Sequence, residues 1–169
     1  MNNFYLIGMP GCGKTTIGAG VAQKLDIKLI DVDSHIVEKE KRTIPDIFKN
    51  RGEAYFRKKE TEALKEVSEG EHLLISTGGG VILFEENVEI MKKNGKVIFI
   101  DTPCENILKN SSLSGRPLLA ADKNRIFDLY AQRYGKYKNS ADYIYTNTGS
   151  ADTAIEKIAQ YIEEIAYED

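Results

Sequence analysis

The chain has 169 residues, 41% of them hydrophobic and 29% charged, with a formal net charge of −3, the make-up of one compact globular domain with its own core. The negative balance argues against a nucleic-acid binder that relies on phosphate contacts, and no apolar run approaches the length of a membrane span. Cys12 and Cys104, far apart and without a C-x-x-C, argue against a disulfide framework and a zinc site, while Met1-Asn2-Asn3 lacks the basic and apolar regions of a secretory signal, all of which fits a cytoplasmic protein.

Phe4-Tyr5-Leu6-Ile7 is an apolar run that reads as a buried strand, and apolar residues recur at helical spacing from Thr16 to Leu25. Lys28 to Val32 predicts a second strand, ending in the carboxylates Asp31 and Asp33. Ser34 is suited to cap a short helix through Lys41, and Thr43-Ile44-Pro45-Asp46 reads as an N-cap with a first turn that tolerates proline. Gly52 breaks the chain before a charged amphipathic helix from Glu53 to Glu69. His72 to Ser76 predicts a third strand, followed by Gly78-Gly79-Gly80. A helix from about Phe84 to Lys93 leads into a fourth strand, Lys96 to Asp101, and Thr102-Pro103 opens another helix. Asn110 to Gly115 is polar, rich in Ser and Gly and without apolar periodicity, so it reads as an exposed mobile loop closed by Arg116-Pro117-Leu118-Leu119. Asn124 to about Lys136 is a helix, Tyr143 to Tyr145 a fifth strand and Thr153 to Ala166 a final amphipathic helix. The alternation points to βαβ units and a mostly parallel sheet.

Gly8-Met9-Pro10-Gly11-Cys12-Gly13-Lys14-Thr15 fits the phosphate-loop pattern G-x-x-x-x-G-K-[ST], between a strand and a helix as its physics requires. The backbone N–H groups of Gly11, Cys12 and Gly13 are expected to cradle phosphate oxygens, with the helix N-terminus adding a favourable dipole. Lys14 would reach the β- and γ-phosphates and the Thr15 hydroxyl would ligate Mg²⁺. Cys12 is read as contributing only its backbone. In open α/β sheets ligands bind beyond the carboxyl ends of the strands, where the phosphate loop, the Asp pair, the triple glycine and the Ser/Gly-rich loop all fall.

Asp31 and Asp33, two apart on what reads as extended chain, point to one side. Beside a Mg-nucleotide one can join the outer shell of the metal and the other can accept a hydrogen bond from an attacking hydroxyl. Gly78, Gly79 and Gly80 let the backbone approach a ligand closely, with N–H groups for a carboxylate or hydroxyls. Arg57, Arg116 and Arg133 are candidates to grip a carboxylate or stabilise phosphoryl charge, and Glu60, three residues after Arg57, can orient it. His35 and His72 lack partners at ligand spacing and read as structural or solvent-facing. Cys104 reads as a small residue in a first helical turn.

As an ordered set, Gly8 to Thr16, Asp31-Val32-Asp33, Gly52-Glu53-Ala54-Tyr55-Phe56-Arg57-Lys58-Lys59-Glu60, Gly78-Gly79-Gly80, Arg116-Pro117-Leu118-Leu119, and Arg133 with Tyr137 resemble the shikimate kinase family over nearly the whole chain. The resemblance implies a three-layer α/β/α phosphate-loop NTPase of the nucleoside-monophosphate-kinase style, with a five-stranded parallel sheet. It implies a single kinase domain over 1–169, with a substrate-binding helical segment at about 34–60 and a lid at about 110–121. It further implies phosphorylation of the 3-hydroxyl of shikimate by ATP with Mg²⁺, in aromatic amino-acid biosynthesis, by a monomer with no nucleic-acid or membrane partner. Carried over by residue, Gly11, Cys12, Gly13, Lys14, Thr15 and Thr16 fall to the nucleotide and Thr15 and Asp31 to the metal. Asp33 falls to the attacking hydroxyl. Arg57, Arg133 and Gly79, with Gly78 and Gly80 beside it, fall to shikimate, and Arg116 is the lid arginine that meets the phosphates.

Two departures stand out. Gly135 takes the place of a proline often found two residues after the late arginine, which predicts a looser helix end. Lys109 is the best match to an arginine near the lid's start, and lysine cannot stack on adenine as a guanidinium does. Asn147-Thr148 is expected near the adenine. A kinase for another small acid, such as gluconate, is disfavoured by the Asp pair and the segment from Gly52 to Arg57. A non-catalytic nucleotide-binding module is disfavoured by the intact Lys14, Thr15, Asp31 and Asp33.

Overall fold

Strand β1 (Asn3–Ile7) is buried along its whole length. It lies in the middle of a five-stranded sheet with β2 (Lys28–Asp31), β3 (Leu73–Ser76), β4 (Gly95–Asp101) and β5 (Tyr143–Thr146), in the order β2-β3-β1-β4-β5. Every pairing is parallel. A strand covered on both faces has no solvent side to alternate with, which is why its sequence is a continuous apolar run. The computed structural model describes residues 3–111 and 123–168.

The helices are α1 (Lys14–Leu25), α2 (Val32–Glu40), α3 (Ile44–Arg51), α4 (Glu53–Val67), α5 (Glu85–Asn94), α6 (Cys104–Ser111), α7 (Lys123–Ser140) and α8 (Ala151–Glu168), with a 3₁₀ turn at Val81–Leu83. Helices α1 and α8 pack on each other over one face; α4 packs on α5, and α5 and α7 on β4 at the other. Right-handed crossovers from β1 leftward to β2 and from β3 rightward to β4 require that division. The core is one contiguous cluster that includes Tyr5, Leu6, Ile17, Leu64, Leu74, Phe99 and Tyr137. The expected three-layer α/β/α architecture with a parallel sheet is the one observed.

Register aligns the strand ends that matter. Asp31 of β2 and Leu6 of β1 both pair with Ser76 of β3, and Asp101 of β4 pairs with Thr146 of β5. The segments that follow these residues therefore leave the sheet at one edge.

Several expected boundaries move. Strand β2 stops at Asp31 instead of Val32, because the Asp31 carboxylate accepts the Ser34 N–H at 2.7 Å and caps α2. Asp31, not Ser34, is the cap, and Asp33 sits in a first helical turn. The two carboxylates are thus not on an extended chain. Asn110 and Ser111, read as loop, belong to α6; residues 112–122, with Arg116 and most of the expected lid, lie outside the described residues.

Helix α7 does not loosen at Gly135 but runs on to Ser140. Packing overrides the poor propensity of glycine. Tyr137 stacks on Phe99 with ring centroids 5.0 Å apart, Tyr134 lies 6.1 Å from the same ring, and Tyr130 stacks on Tyr134 at 5.2 Å. Gly135 itself is exposed, and an added Cβ there meets nothing within 4 Å. Gly135→Ala should therefore stabilise the protein by roughly 0.5–1 kcal/mol, raising the melting midpoint by about 1–4 °C. Calorimetry would show it; a lower midpoint would mean that α7 needs the glycine.

Candidate active site

The phosphate loop joins β1 to α1. Gly11 and Gly13 take positive φ of 78° and 103°. Gly8 is pinned by contact, since a Cβ there would stand 2.7 Å from the Ile100 carbonyl and 2.8 Å from Cys12 Sγ. Helix α1 begins at Lys14, so its first-turn N–H groups, including those of Thr15 and Thr16, have no intrahelical acceptor and face the mouth. The Lys14 ammonium donates to the Gly8 carbonyl at 2.7 Å and the Met9 carbonyl at 3.0 Å, and lies 3.5 Å from Cys12 Sγ. A buried ammonium requires such acceptors, and Lys14 is buried.

Cys12 departs from expectation in two ways. Its N–H donates to the Met9 carbonyl at 3.1 Å, closing a turn within the loop, so it is not one of the amides turned toward a ligand. Its side chain is also engaged, buried between Gly8 and the Lys14 ammonium. The Cys12 carbonyl accepts from Thr102 Oγ1 at 2.7 Å and from Asn147 Nδ2 at 3.3 Å, and Asn147 Nδ2 also donates to Thr102 Oγ1 at 2.9 Å. Sequence reasoning gave Thr102 only a capping role and left Asn147 without contacts. The available signal was position: both follow strands on the β4–β5 side of the loop.

A cleft of about 630 Å³ opens over this loop. Residues 10–16, Asp31, Asp33, Ser76, Thr77, Gly78, Gly79, Asn110 and Asn147 line it. The structure thus brings the phosphate loop, the Asp pair and the glycine run to one mouth.

Beyond Asp33 the cleft meets a cluster built by α4, α7 and the glycine run. Glu60 has no exposed surface, and its Oε1 accepts from Arg57 Nη1 at 2.8 Å. The i,i+3 spacing does what it promised. The Arg57 guanidinium lies on Gly80, where a Cβ would stand 2.4 Å from Nη1. At Gly78 a Cβ would stand 2.8 Å from Glu60 Oε2 and 3.0 Å from Asp33 Oδ1. Only glycine lets charged groups come this close to backbone. Arg133 of α7 is near enough for its charge to favour ionised Glu60.

Three buried polar atoms of this cluster find no hydrogen-bond partner among the described residues: Asp33 Oδ1, Arg57 Nε and Glu60 Oε2. Arg57 Nε lies 3.6 Å from Glu53 Oε1, and all three atoms are free to take a hydrogen bond from a polar ligand or water. Burial, then the neighbouring Asp31 charge, push the Asp33 pKa up; Lys14 and Arg57 pull it the other way without cancelling the rise. Burial likewise raises Glu60 against the pull of Arg57.

The remaining candidates stay outside. His35 bonds Glu66 at 2.9 Å on the α2–α4 surface, and His72 is an exposed residue with φ 55°. Cys104 is buried, which raises its thiol pKa.

The shikimate kinase family model matches residues 10–165. A shikimate kinase of Clostridium botulinum is 47% identical over 161 residues, covering 95% of this chain and 97% of the relative. One of Caldicellulosiruptor saccharolyticus is 45% identical over 161 residues, 94% of each chain. The structure of shikimate kinase from Acinetobacter baumannii in complex with shikimate superposes with a TM-score of 0.88 at 34% identity, covering 99% of this chain and 94% of that one.

The raised pKa of Asp33 has a signed consequence. A carboxylate whose folded pKa exceeds its unfolded value is best accommodated below the unfolded pKa, and that stability is lost as pH rises through the folded one. Asp33→Asn should therefore melt above the parent at neutral pH, and the gap should close as pH falls into the ordinary carboxylate range. Thermal melts of both proteins across that range provide the check; a variant less stable at neutral pH would contradict it.

Proposed function

This chain belongs to the shikimate kinase family, and on that premise we propose how its residues divide the reaction. The activity is transfer of the γ-phosphoryl of ATP to the 3-hydroxyl of shikimate, giving shikimate 3-phosphate and ADP. The observation that carries the assignment is the convergence of the orphaned Asp33 Oδ1, Arg57 Nε and Glu60 Oε2 beside the phosphate-loop cleft. Shikimate offers one carboxylate and three hydroxyls to that set.

Lys14 exchanges the Gly8 and Met9 carbonyls for phosphate oxygens, and the amides of Gly11 and Gly13 and of the start of α1 complete the cradle. Thr15 and Asp31, both on the cleft wall, would hold Mg²⁺. The fit is chemical: both supply oxygen, the described residues hold no group of three or more His, Cys, Asp or Glu suited to a metal, and Mg²⁺ in kinases takes one or two protein oxygens beside phosphates and water. When bound, Mg²⁺ neutralises charge on the phosphates.

Asp33 Oδ1 accepts the hydrogen bond of the attacking hydroxyl, orients it and takes its proton. Arg57 and Arg133 grip the substrate carboxylate, and the amides of Gly78, Gly79 and Gly80 serve its oxygens. Glu60 holds Arg57. Arg116 is assigned to the phosphates on the strength of the family motif. Asn147 is assigned to the loop it anchors, on the nucleotide side. All these side chains belong to one polypeptide, consistent with a working monomer, and the two free thiols suit the reducing cytoplasm. Among the described residues no helix is long and apolar enough to cross a membrane.

A coupled ADP-release assay with a panel of hydroxy acids tests the reading. ADP release should depend on shikimate, and Asp33→Asn should lower kcat by about 10²-fold or more with ATP affinity retained. Equal ATPase rates with and without shikimate would defeat the function; near-normal turnover of the variant would defeat the role of Asp33. Arg57→Ala should raise the KM for shikimate by about tenfold or more, because the carboxylate loses its fork; a change confined to ATP would refute the site.

A further inference from the structure

We propose that Tyr137 is a positioning residue for the acceptor substrate: its hydroxyl fixes the orientation of the Gly79–Gly80 peptide beside the cleft. The inference rests on the reading of this cleft as the shikimate site, and adds a residue to it.

Tyr137 has no exposed surface. Its ring is stacked on Phe99 of β4 at 5.0 Å, with an interplanar angle of 23°. The ring is thus held by the core, and the hydroxyl at its tip donates to the Gly79 carbonyl. The positive charge of Arg133 acts on the same hydroxyl, against the rise in pKa that burial imposes. Arg133 and Tyr137 are four residues apart on α7, one above the other on the same helical face. On its other side Gly79 abuts the phosphate loop, where an added Cβ would stand 2.6 Å from Pro10 Cδ.

The need for such a tie follows from the glycines. A peptide unit flanked by two glycines meets little steric resistance to rotation. The unit is planar and trans, so its C=O and N–H point in opposite directions. Holding the Gly79 carbonyl therefore fixes the direction of the Gly80 N–H. Burial raises the Tyr137 pKa, so the hydroxyl keeps its proton and remains a donor. One oxygen then ties the loop that follows β3 to α7. The packing of the ring and the aim of the hydroxyl are separable, which makes the proposal testable.

Tyr137→Phe keeps the ring and removes the oxygen. Its shikimate dissociation constant, measured by titration calorimetry, and its shikimate KM should rise about tenfold. ATP affinity should be unchanged and the melting midpoint should stay within a few degrees of the parent. Phe99→Leu weakens the stack without touching the hydroxyl; it should melt lower and keep its affinity for shikimate. Unchanged shikimate binding by Tyr137→Phe, or equal losses for shikimate and ATP, would overturn the proposal. So would a Tyr137→Phe protein that melts below Phe99→Leu, since the hydroxyl would then serve the fold. A parent protein that releases no ADP with shikimate would fail at the earlier step and defeat the site reading itself; an active parent with an indifferent Tyr137→Phe would defeat only this one.

Discussion

Glu60 carries a charge with no exposed surface, and its 2.8 Å pairing with Arg57 constrains everything around it. Taking a carboxylate out of water costs several kcal/mol unless a partner and further hydrogen bonds meet it. Arg57 meets one oxygen only; Oε2 has no partner. The surroundings conform to that pair. Gly78 must leave room for Glu60 Oε2, and Gly80 must leave room for the guanidinium. Asp33 then adds a second carboxylate at the same backbone, where burial and then the Asp31 charge raise its pKa. The acceptor end is therefore made of side-chain charges crowded onto backbone that has no side chains.

The donor end is made the other way round. There the backbone lines the cleft, and side chains hold it in shape. The Lys14 ammonium folds onto the carbonyls of Gly8 and Met9, while Thr102 and Asn147 tie the Cys12 carbonyl to the ends of β4 and β5. These ties are possible because β1 is central and the chain crosses left from it to β2 but later crosses right from β3 to β4. That reversal opens the crevice at the carboxyl edge of the sheet. The glycine run closes the gap between the two ends, with Gly79 against Pro10 on one side and its carbonyl held from α7 on the other.

Local patterns carried the fold well because each element announces itself over a few residues. The buried run of β1, the Thr43 cap and the break at Gly52 are all local physics, and the structure repeats them. Expectation failed where a distant contact outweighed a local preference. The aromatic contacts of α7 with Phe99 carry that helix through Gly135. At β2 one local contact displaced another: the Asp31 carboxylate takes the Ser34 amide three residues on and turns a strand end into a helix start. At the site, Arg57 and Glu60 were legible because their partnership is a helical spacing. Tyr137 appeared in the sequence as a matched residue without a task, because its partner lies 58 residues away. The N–H of Cys12 was misjudged for a related reason: the motif fixes which residues form the loop, while turn closure fixes which amides remain available.

Selectivity follows from the same orphans. A cavity lined by apolar groups distinguishes ligands by size, and one methylene is worth only about 1–3 kcal/mol. A cavity that leaves Asp33 Oδ1, Arg57 Nε and Glu60 Oε2 unpartnered discriminates differently. A ring lacking the carboxylate would leave Arg57 Nε without a hydrogen bond, and one lacking the hydroxyl would do the same to Asp33 Oδ1. Each omission leaves a buried polar atom unmet, which costs more than a missing apolar contact. On the proposed roles, the cluster would disfavour neutral ring alcohols and simple acids alike, with a carboxylate and a hydroxyl required together. On the proposed division of roles, a ligand held by Arg57 through its carboxylate and by Asp33 through its hydroxyl would present that hydroxyl to the cleft that Lys14 also lines.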